Sequence, residues 1–170
     1  EMKERIEKII GLDAKNIWMG TFHSVFAKIL RYEADKLGYP SNFTIYDTDD
    51  SKALLRRIIK DMNLDTDIYK VNIVQSRLSS FKNNLITVKA YSNNAELKTQ
   101  DDSAHRPQMG AIYERYVKEC FKSGAMDFDD LLLKTNELLF RHPDVLHKYQ
   151  HRFQYVLVDE YQDTNHSQYL

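Results

Sequence analysis

The stretch MGAIYERYVKECFKSG, residues 109–124, decides the fold class of this chain. Its apolar residues return every three or four positions, which is the spacing of one face of an α-helix. Gly124 follows the last of them, and glycine often ends a helix because it adopts the left-handed conformation without steric cost. The pattern therefore predicts an amphipathic helix, with Cys120 as a core residue rather than a nucleophile. The apolar positions are Met109, Ile112, Tyr113, Tyr116, Val117, Cys120 and Phe121.

The same period recurs on both sides of this helix. Asp47 (or Thr48) and Asp127 are suited to cap two of the further helices. Two short apolar runs, residues 16–19 and 155–158, have the composition of buried strands. Residues 93–107 are polar and almost free of bulky apolar side chains, so a mobile loop is expected there. The chain is thus predicted to be mainly α with about two short strands. Helices are expected near residues 2–10, 22–37, 48–62, 71–83, 128–139 and 143–149.

Composition excludes several classes of protein. The 170 residues, 42% of them hydrophobic and 29% charged, suit one domain or one domain with part of a second. No apolar run approaches the roughly 18 residues that a membrane-spanning helix needs, and the single cysteine disfavours disulfides and thiolate zinc clusters. We therefore expect a cytoplasmic protein without membrane contact.

The charges and the chain ends set two further expectations. Twenty-four basic and 25 acidic residues give a net charge of -1, so any contact with nucleic acid has to come from a local patch. The sequence begins inside a helical pattern and stops just after a helix start near residues 163–165. An internal piece of a longer protein is expected.

The run YVLV at residues 155–158 leads directly into two acids, Asp159 and Glu160. It is typical of a parallel strand that delivers carboxylates at its C-terminal edge. Such a pair suits nucleotide hydrolysis, because one carboxylate can hold hydrated Mg²⁺ while the other orients or deprotonates the attacking water. An ordinary strand running into an acidic turn has the same pattern, so these residues alone leave both interpretations open.

Longer strings carry a family resemblance. DEYQDTN at 159–165 resembles the Walker B signature, motif II, of UvrD/PcrA/Rep-like superfamily 1 DNA helicases. GTFHS at 20–24 resembles the motif with which these helicases contact single-stranded DNA. DFDDLL at 127–132 resembles a third family string, and FTIYD at 43–47, with the ALL that follows at 53–55, is similar to the segment after the first motif. The resemblance covers essentially the whole chain.

This resemblance implies an ATP-dependent helicase that moves 3′ to 5′ and unwinds duplex DNA. Asp159 is then expected to coordinate Mg²⁺ and Glu160 to act as the catalytic base for ATP hydrolysis. Gln162, with Asp163, would couple the nucleotide to neighbouring motifs. The expected partners are single-stranded DNA and duplex/single-strand junctions. The expected DNA contacts are Thr21, Phe22, His23 and Ser24 on the single strand, and Ser76, Arg77, Lys82 and Asn83 on phosphates.

The resemblance also implies a domain plan. Residues 1–22 and 153–170 would belong to a RecA-like domain 1A, and residues 23–152 would form a helical insertion like domain 1B. The glycines, at positions 11, 20, 38, 110 and 124, cannot form the G-x-x-x-x-G-K-[ST] loop that cradles phosphates. ATP and Mg²⁺ are therefore expected in the full-length parent, while these residues alone are expected to be inactive and to hold neither.

Other interpretations stay open. The alternatives are the helicase subunit of an AddA/RecB-like helicase-nuclease, whose helicase motifs are similar, and a non-catalytic DNA- or protein-binding helical module. His147 and His151, four residues apart with His142 nearby, have the spacing of a metal face, but the sequence offers no third ligand of defined geometry. A basic stripe opposite the apolar face of one helix is usually a solvated surface, although it can meet a duplex backbone. It comprises Lys52, Arg56, Arg57 and Lys60.

Overall fold

The computed structural model describes residues 2–169, leaving out the side chains at positions 2, 3, 12, 13, 15, 163 and 169. The side chain of Asp163, one of the predicted coupling residues, thus lies outside the described part. No helix within residues 2–169 is long and apolar enough to cross a membrane. The described helices are α1 (Met2–Ile10), α2 (Phe22–Glu33), α3 (Thr48–Asp61), α4 (Val71–Asn83), α5 (Val88–Ser92), α6 (Ala95–Ser103), α7 (Met109–Lys122), α8 (Phe128–Arg141), α9 (Pro143–Arg152) and α10 (His166–Tyr169).

Two short strands complete the described fold. They are β1 (Thr44–Tyr46) and β2 (Ala125–Asp127), which pair in parallel with Ile45 opposite Met126. The predicted fold class, mainly α with two short strands, is confirmed. The strands themselves lie in places that the sequence pattern did not indicate.

Two helices begin with the same reciprocal cap. The Asp47 side chain accepts a hydrogen bond from the backbone N–H of Asp50 at 2.8 Å, and the Asp50 side chain accepts one from the backbone N–H of Asp47 at 3.2 Å. Asp127 and Asp130 repeat this arrangement at the start of α8, with distances of 2.8 and 3.2 Å. Each box satisfies two backbone donors that the first turn leaves unpaired. The predicted caps at Asp47 and Asp127 are confirmed.

The apolar side chains form two separate clusters. The first lies among α3, α4, α5 and α7, and it includes Cys120, which is 1% exposed and confirmed as a core residue. The second lies among α2, α8, α9 and the two strands, and its members include Leu30, Phe43 and Met126. Along the sequence, the residues before β1 belong to the second cluster, those between β1 and β2 form the first cluster, and those after β2 belong to the second cluster again. Residues 47–124 are therefore a helical body inserted between two paired strands.

The predicted loop at residues 93–107 is wrong, because most of it is helical. Asn94 caps α6 by accepting a hydrogen bond from the backbone N–H of Leu97 at 3.1 Å. Asp101, only 3% exposed, then accepts hydrogen bonds from Arg77 and from the Tyr91 hydroxyl, both at 2.9 Å. A polar segment is thus held by polar contacts, which hydrophobic periodicity does not detect.

Both predicted strands are also absent from the described structure. Asn16 ends a short 3₁₀ helix, residues 17–21 lead from it to α2, and Trp18 packs against Phe153 with ring centroids 5.1 Å apart. Residues 155–158 have no regular structure, and Leu157 is 96% exposed. An extended segment becomes a strand only when a neighbour accepts its backbone hydrogen bonds. Within the described residues, only β1 and β2 form such a pair.

Candidate nucleic-acid interface and acidic site

The GTFHS motif forms the start of α2. Thr21 is the N-cap, and its hydroxyl accepts a hydrogen bond from the backbone N–H of Ser24 at 3.3 Å. The Ser24 hydroxyl donates to the carbonyl of Thr21 at 2.8 Å. A side chain at Gly20 would lie 2.2 Å from this hydroxyl, which would then have to leave its place in the cap. Thr21 and Ser24 are both exposed, which places their hydroxyl groups on the surface where a phosphate can approach.

The two aromatic residues of the motif are half-buried. The Phe22 ring meets Phe26 edge-on at 5.9 Å, so much of its surface is used in packing. The His23 ring meets Phe128, the first residue of α8, with centroids 6.0 Å apart and planes at 83°. Since Phe128 belongs to the DFDDLL string, the structure brings two of the family strings into contact at one helix start.

A polar junction brings a third family string, and the end of α4, to the same place. It consists of Asn83, Asp129 and Asn165. The Asn83 side-chain amide donates to Asp129 at 3.0 Å, and Asn165 donates to the Asn83 side-chain oxygen at 2.8 Å. Residues from α4, α8 and the end of the DEYQDTN string thus meet beside Phe128. Asp129 and Asn165 lie within strings that resemble the family, but the sequence analysis assigned neither residue a role.

The role predicted for Asn83 as a DNA contact changes accordingly. Its amide also donates to the backbone carbonyl of Ser79 at 3.0 Å, so both ends of the side chain are occupied by protein groups. The structure makes Asn83 a residue that joins helices rather than one that presents a free donor to phosphate.

The predicted phosphate contact at Lys82 is wrong. Lys82 is 1% exposed, and its ammonium group lies 2.6 Å from Asp127 and 2.9 Å from Asp130. The Tyr116 hydroxyl donates to Asp127 at 2.9 Å. We call Lys82, Asp127 and Asp130 the buried lysine cluster. It joins α4 of the inserted body to the first turn of α8, and it leaves Lys82 no path to DNA.

The buried lysine cluster shifts the pKa of each member. Burial favours the neutral amine, yet the two carboxylates outweigh it and hold the pKa of Lys82 well above its ordinary value. Burial works against the charge on Asp127 as well, but Lys82 outweighs it and lowers the pKa of that carboxyl. Burial, with Asp127 beside it, raises the pKa of Asp130 to about 6.

A pH dependence of stability follows from Asp130. Its pKa is higher in the folded than in the unfolded chain, so between about pH 4 and pH 6 the folded chain binds more protons, and stability falls as pH rises. We expect Asp130→Asn to remove this component, so that the wild type loses stability relative to the variant across that window. Urea unfolding at half-unit pH steps measures the difference. Parallel curves for the two proteins would contradict the assignment.

The other predicted phosphate contacts line a groove between α4 and α6. This arginine groove has a volume of about 360 Å³. Arg77 is held in place by Asp101 at 2.9 Å and by Gln100 at 3.2 Å. Arg106, half-buried, forms no ion pair with any described carboxylate. It was missed by sequence reasoning because it lies in the segment predicted to be a loop. The polar residues that line the groove are Ser76, Arg77, Ser80, Gln100, Asp101 and Arg106.

The acidic site is the most open of these features. Asp159, Glu160 and Gln162 are all exposed, and neither acid has a basic partner within the described residues. Asp159 accepts a hydrogen bond from the backbone N–H of Glu160 at 3.0 Å, and Glu160 has the left-handed backbone φ of 51°. The described structure shows no hydrogen bond between these side chains and the GTFHS motif.

No group of three metal-ligating side chains occurs in the described part of the chain. Neither the histidines at 142, 147 and 151 nor the acids form such a group within residues 2–169. The two exposed carboxylates of the acidic site are nevertheless oxygen donors of the type that Mg²⁺ prefers.

Comparison with known proteins defines the class. The family model described as the UvrD/REP helicase N-terminal domain matches residues 1–170. The ATP-dependent DNA helicase PcrA of Staphylococcus aureus (strain Mu50 / ATCC 700699) is 40% identical over 169 residues, covering 99% of this chain and 22% of that protein. PcrA of Staphylococcus epidermidis (strain ATCC 12228 / FDA PCI 1200) is 38% identical over 175 residues, with the same coverage.

The chain therefore belongs to the UvrD/REP helicase family, within the N-terminal domain of that family. The resemblance inferred from the motif strings is confirmed. The chain spans about a fifth of the length of the curated relatives it matches.

Proposed function

We propose that this chain acts as part of an ATP-dependent DNA helicase that moves 3′ to 5′ and unwinds duplex DNA. The observation that carries the proposal is the convergence of three family strings, GTFHS, DFDDLL and DEYQDTN, on the start of α8, through the His23–Phe128 contact and the polar junction. Helicases need DNA contacts and nucleotide chemistry on one connected body, because each cycle of hydrolysis has to move the strand. The likeness to PcrA along the whole chain supports the same function.

The acidic site supplies the residues for nucleotide chemistry. Asp159 would hold Mg²⁺, and Glu160 would orient and deprotonate the attacking water. Their exposure, and the lack of a basic partner within the described residues, leaves both carboxylates free to do so. When bound, Mg²⁺ neutralises charge on the phosphates of ATP. Gln162, exposed on the turn that follows, would couple the nucleotide to neighbouring segments.

The two apolar clusters support a division into domains. We propose that residues 47–124 form the helical, 1B-like module and that α2, α8, α9 and the strands belong to the RecA-like domain 1A. This module is shorter than the residues 23–152 expected from the sequence. The parallel pairing of β1 with β2 and the separate packing of the two clusters support the narrower boundary.

The DNA contacts would lie on two surfaces. Single-stranded DNA would meet the exposed hydroxyl groups of Thr21 and Ser24, with His23 beside them. Duplex phosphates would meet the arginine groove, where Arg106 forms no ion pair within the described residues, Asp101 is paired with Arg77, and Ser76 is exposed. Because the chain carries a net charge of -1, such local contacts have to provide the attraction.

Binding to a junction tests this proposal. Fluorescence anisotropy of the chain is measured against a labelled duplex with a 3′ single-stranded tail, against plain duplex and against single strand, over a range of salt. We expect salt-sensitive binding that favours the junction. Equal binding to all three probes, or binding that does not depend on salt, would contradict the proposed duplex and single-strand surfaces.

Arg106→Gln is expected to weaken junction binding and to reduce the slope of log K against log salt by about one, the effect of losing one phosphate contact. Arg141→Gln is the matched control, since Arg141 is an exposed arginine of α8 paired with Glu137 and lies outside the arginine groove. The control should bind like the wild type. If both variants bind equally well, the arginine groove is not a phosphate site.

A further inference from the structure

The polar junction holds the end of the DEYQDTN string against two helices. The Asn165 amide donates to the Asn83 side-chain oxygen, on α4, at 2.8 Å, and the Asn83 amide donates to Asp129, on α8, at 3.0 Å. All three side chains are half-buried, so water competes less for these hydrogen bonds than it does at the surface. Because α4 belongs to the inserted body and α8 does not, the end of the string is attached to both parts of the fold.

Asn165 also caps the short helix α10. Its side-chain oxygen accepts a hydrogen bond from the backbone N–H of Gln168 at 3.1 Å, and its own backbone N–H donates to the Gln168 side-chain oxygen at 3.0 Å. The backbone carbonyl of Ser167, a residue that is 1% exposed, accepts a hydrogen bond from the Asn136 amide of α8 at 2.8 Å. The two ends of the Asn165 side chain thus serve different contacts, since the oxygen caps α10 and the amide holds Asn83.

A hydrogen-bonded turn connects Asn165 to the acidic site. Residues Tyr161–Asp163 form a 3₁₀ helix, and Thr164 donates to the first carbonyl of this helix from its backbone N–H at 3.2 Å and from its hydroxyl at 2.8 Å. Glu160 directly precedes the turn, and its N–H donates to Asp159 at 3.0 Å. The position of Asn165 therefore restricts where the two acids can lie.

We infer that Asn83 and Asn165 are positioning residues for ATP hydrolysis, because their hydrogen bond attaches the segment that carries Asp159 and Glu160 to the inserted body. The inference rests on the proposed function, and it gives the inserted body a role at the nucleotide site besides its DNA contacts. Both asparagines act through the turn at 161–164 rather than on the nucleotide itself. A general base has to lie within hydrogen-bond reach of its proton, so a small displacement slows the chemistry more than it weakens ATP binding.

Hydrogen exchange of this chain tests the attachment without nucleotide. Asn165→Ser keeps an oxygen that can cap α10 but is too short to reach Asn83, whereas Asn83→Ala removes the partner. Both variants are expected to speed amide exchange in residues 161–168 about two- to tenfold, the factor that corresponds to the net contribution of one hydrogen bond. Unchanged exchange in both variants would overturn the inference.

Asn84→Ala is the matched control. The exposed Asn84 amide donates to the Ser80 carbonyl at 2.8 Å, just as Asn83 donates to the Ser79 carbonyl at 3.0 Å. This variant removes the same kind of contact within α4, but it leaves the Asn83–Asn165 hydrogen bond in place. Exchange in residues 161–168 and ATP turnover should both stay at the wild-type level.

ATP hydrolysis by the full-length helicase that contains this chain tests the functional part. Each single variant is expected to lower kcat about tenfold, the lower end of what groups that orient catalytic ligands contribute. The affinity for a fluorescent ATP analogue should stay unchanged. Asn83→Ala combined with Asn165→Ser should lower kcat no further than the stronger single variant, because both substitutions remove the same hydrogen bond.

The outcomes separate this inference from the proposed function. Faster exchange with an unchanged kcat would overturn the positioning role and leave the proposed function intact. Losses that multiply in the double variant, or an ATP affinity that falls as far as kcat, would indicate general damage to the fold and would also overturn the inference. Full turnover in Glu160→Gln would overturn the proposed function, and the inference with it.

Discussion

Glu160→Gln in the full-length helicase is expected to reduce ATP turnover by about 10²–10⁴-fold while ATP binding persists, since this is the range of general-base contributions. The amide has nearly the shape of the carboxylate but cannot accept a proton from the attacking water. Asp159 keeps its charge in this variant, so the proposed Mg²⁺ ligand is unchanged. Single-turnover hydrolysis and equilibrium binding of a fluorescent ATP analogue measure the two effects separately.

Glu114→Gln is the matched control, because Glu114 is an exposed glutamate of α7, in the inserted body. It should hydrolyse ATP at the wild-type rate. A general base contributes at least about a hundredfold to the rate. If Glu160→Gln retains more than about a tenth of wild-type turnover, the loss is smaller than that contribution, and Glu160 is not the base. If the variant loses nucleotide binding as well as turnover, the residue acts in binding rather than in chemistry.

Lys82→Met is expected to lower the free energy of unfolding by about 3–5 kcal/mol, the usual cost of leaving buried charges without a partner. Lys82 is the counter-ion of two carboxylates that lie in the interior beside it, at 2.6 and 2.9 Å. Methionine fills a similar volume, so the loss comes from charge rather than from a cavity. Urea unfolding of the chain, followed by circular dichroism, measures the change.

The surface ion pair between Lys36 and Asp144 provides the control. Its carboxylate is 66% exposed, so Lys36→Met should lower the free energy of unfolding far less than Lys82→Met does, because solvent screens an exposed pair. Adding Asp130→Asn to Lys82→Met should recover part of the loss, because one uncompensated charge is then removed. Equal costs for Lys82→Met and Lys36→Met would show that the buried lysine cluster contributes no more than a surface pair.

Local features of the fold were predictable from the sequence. The period of apolar residues in 109–121 and the caps at Asp47 and Asp127 depend on neighbours within one or two helical turns, and the structure contains all of them. The polar helix α6 was not predicted, because it is held in place by Asp101, whose hydrogen-bond partners lie on other helices. Three-residue strands such as β2 are too short to show a period.

The sequence predicted which motif strings form the candidate site, but not which of their side chains touch one another. The strings at 20–24, 127–132 and 159–165 identify the family, whereas only the fold brings Asn83, Asp129 and Asn165 together. Lys82 illustrates the difference, since a lysine near a helix end resembles a phosphate ligand in sequence. Its partners Asp127 and Asp130 lie more than forty positions away, and only the fold shows that they bury it.

The pairing of β1 with β2 has a consequence for how such proteins diversify. Parallel neighbours cannot be joined by a tight turn and need a crossover, and here the crossover is the whole body of residues 47–124. Its entry and exit lie on adjacent strands, which are about 5 Å apart in any sheet. The closure of a connection depends only weakly on its length. Residues 47–124 can therefore be lengthened, shortened or replaced in evolution without changing the geometry of the two strands and the helices α2, α8 and α9 around them.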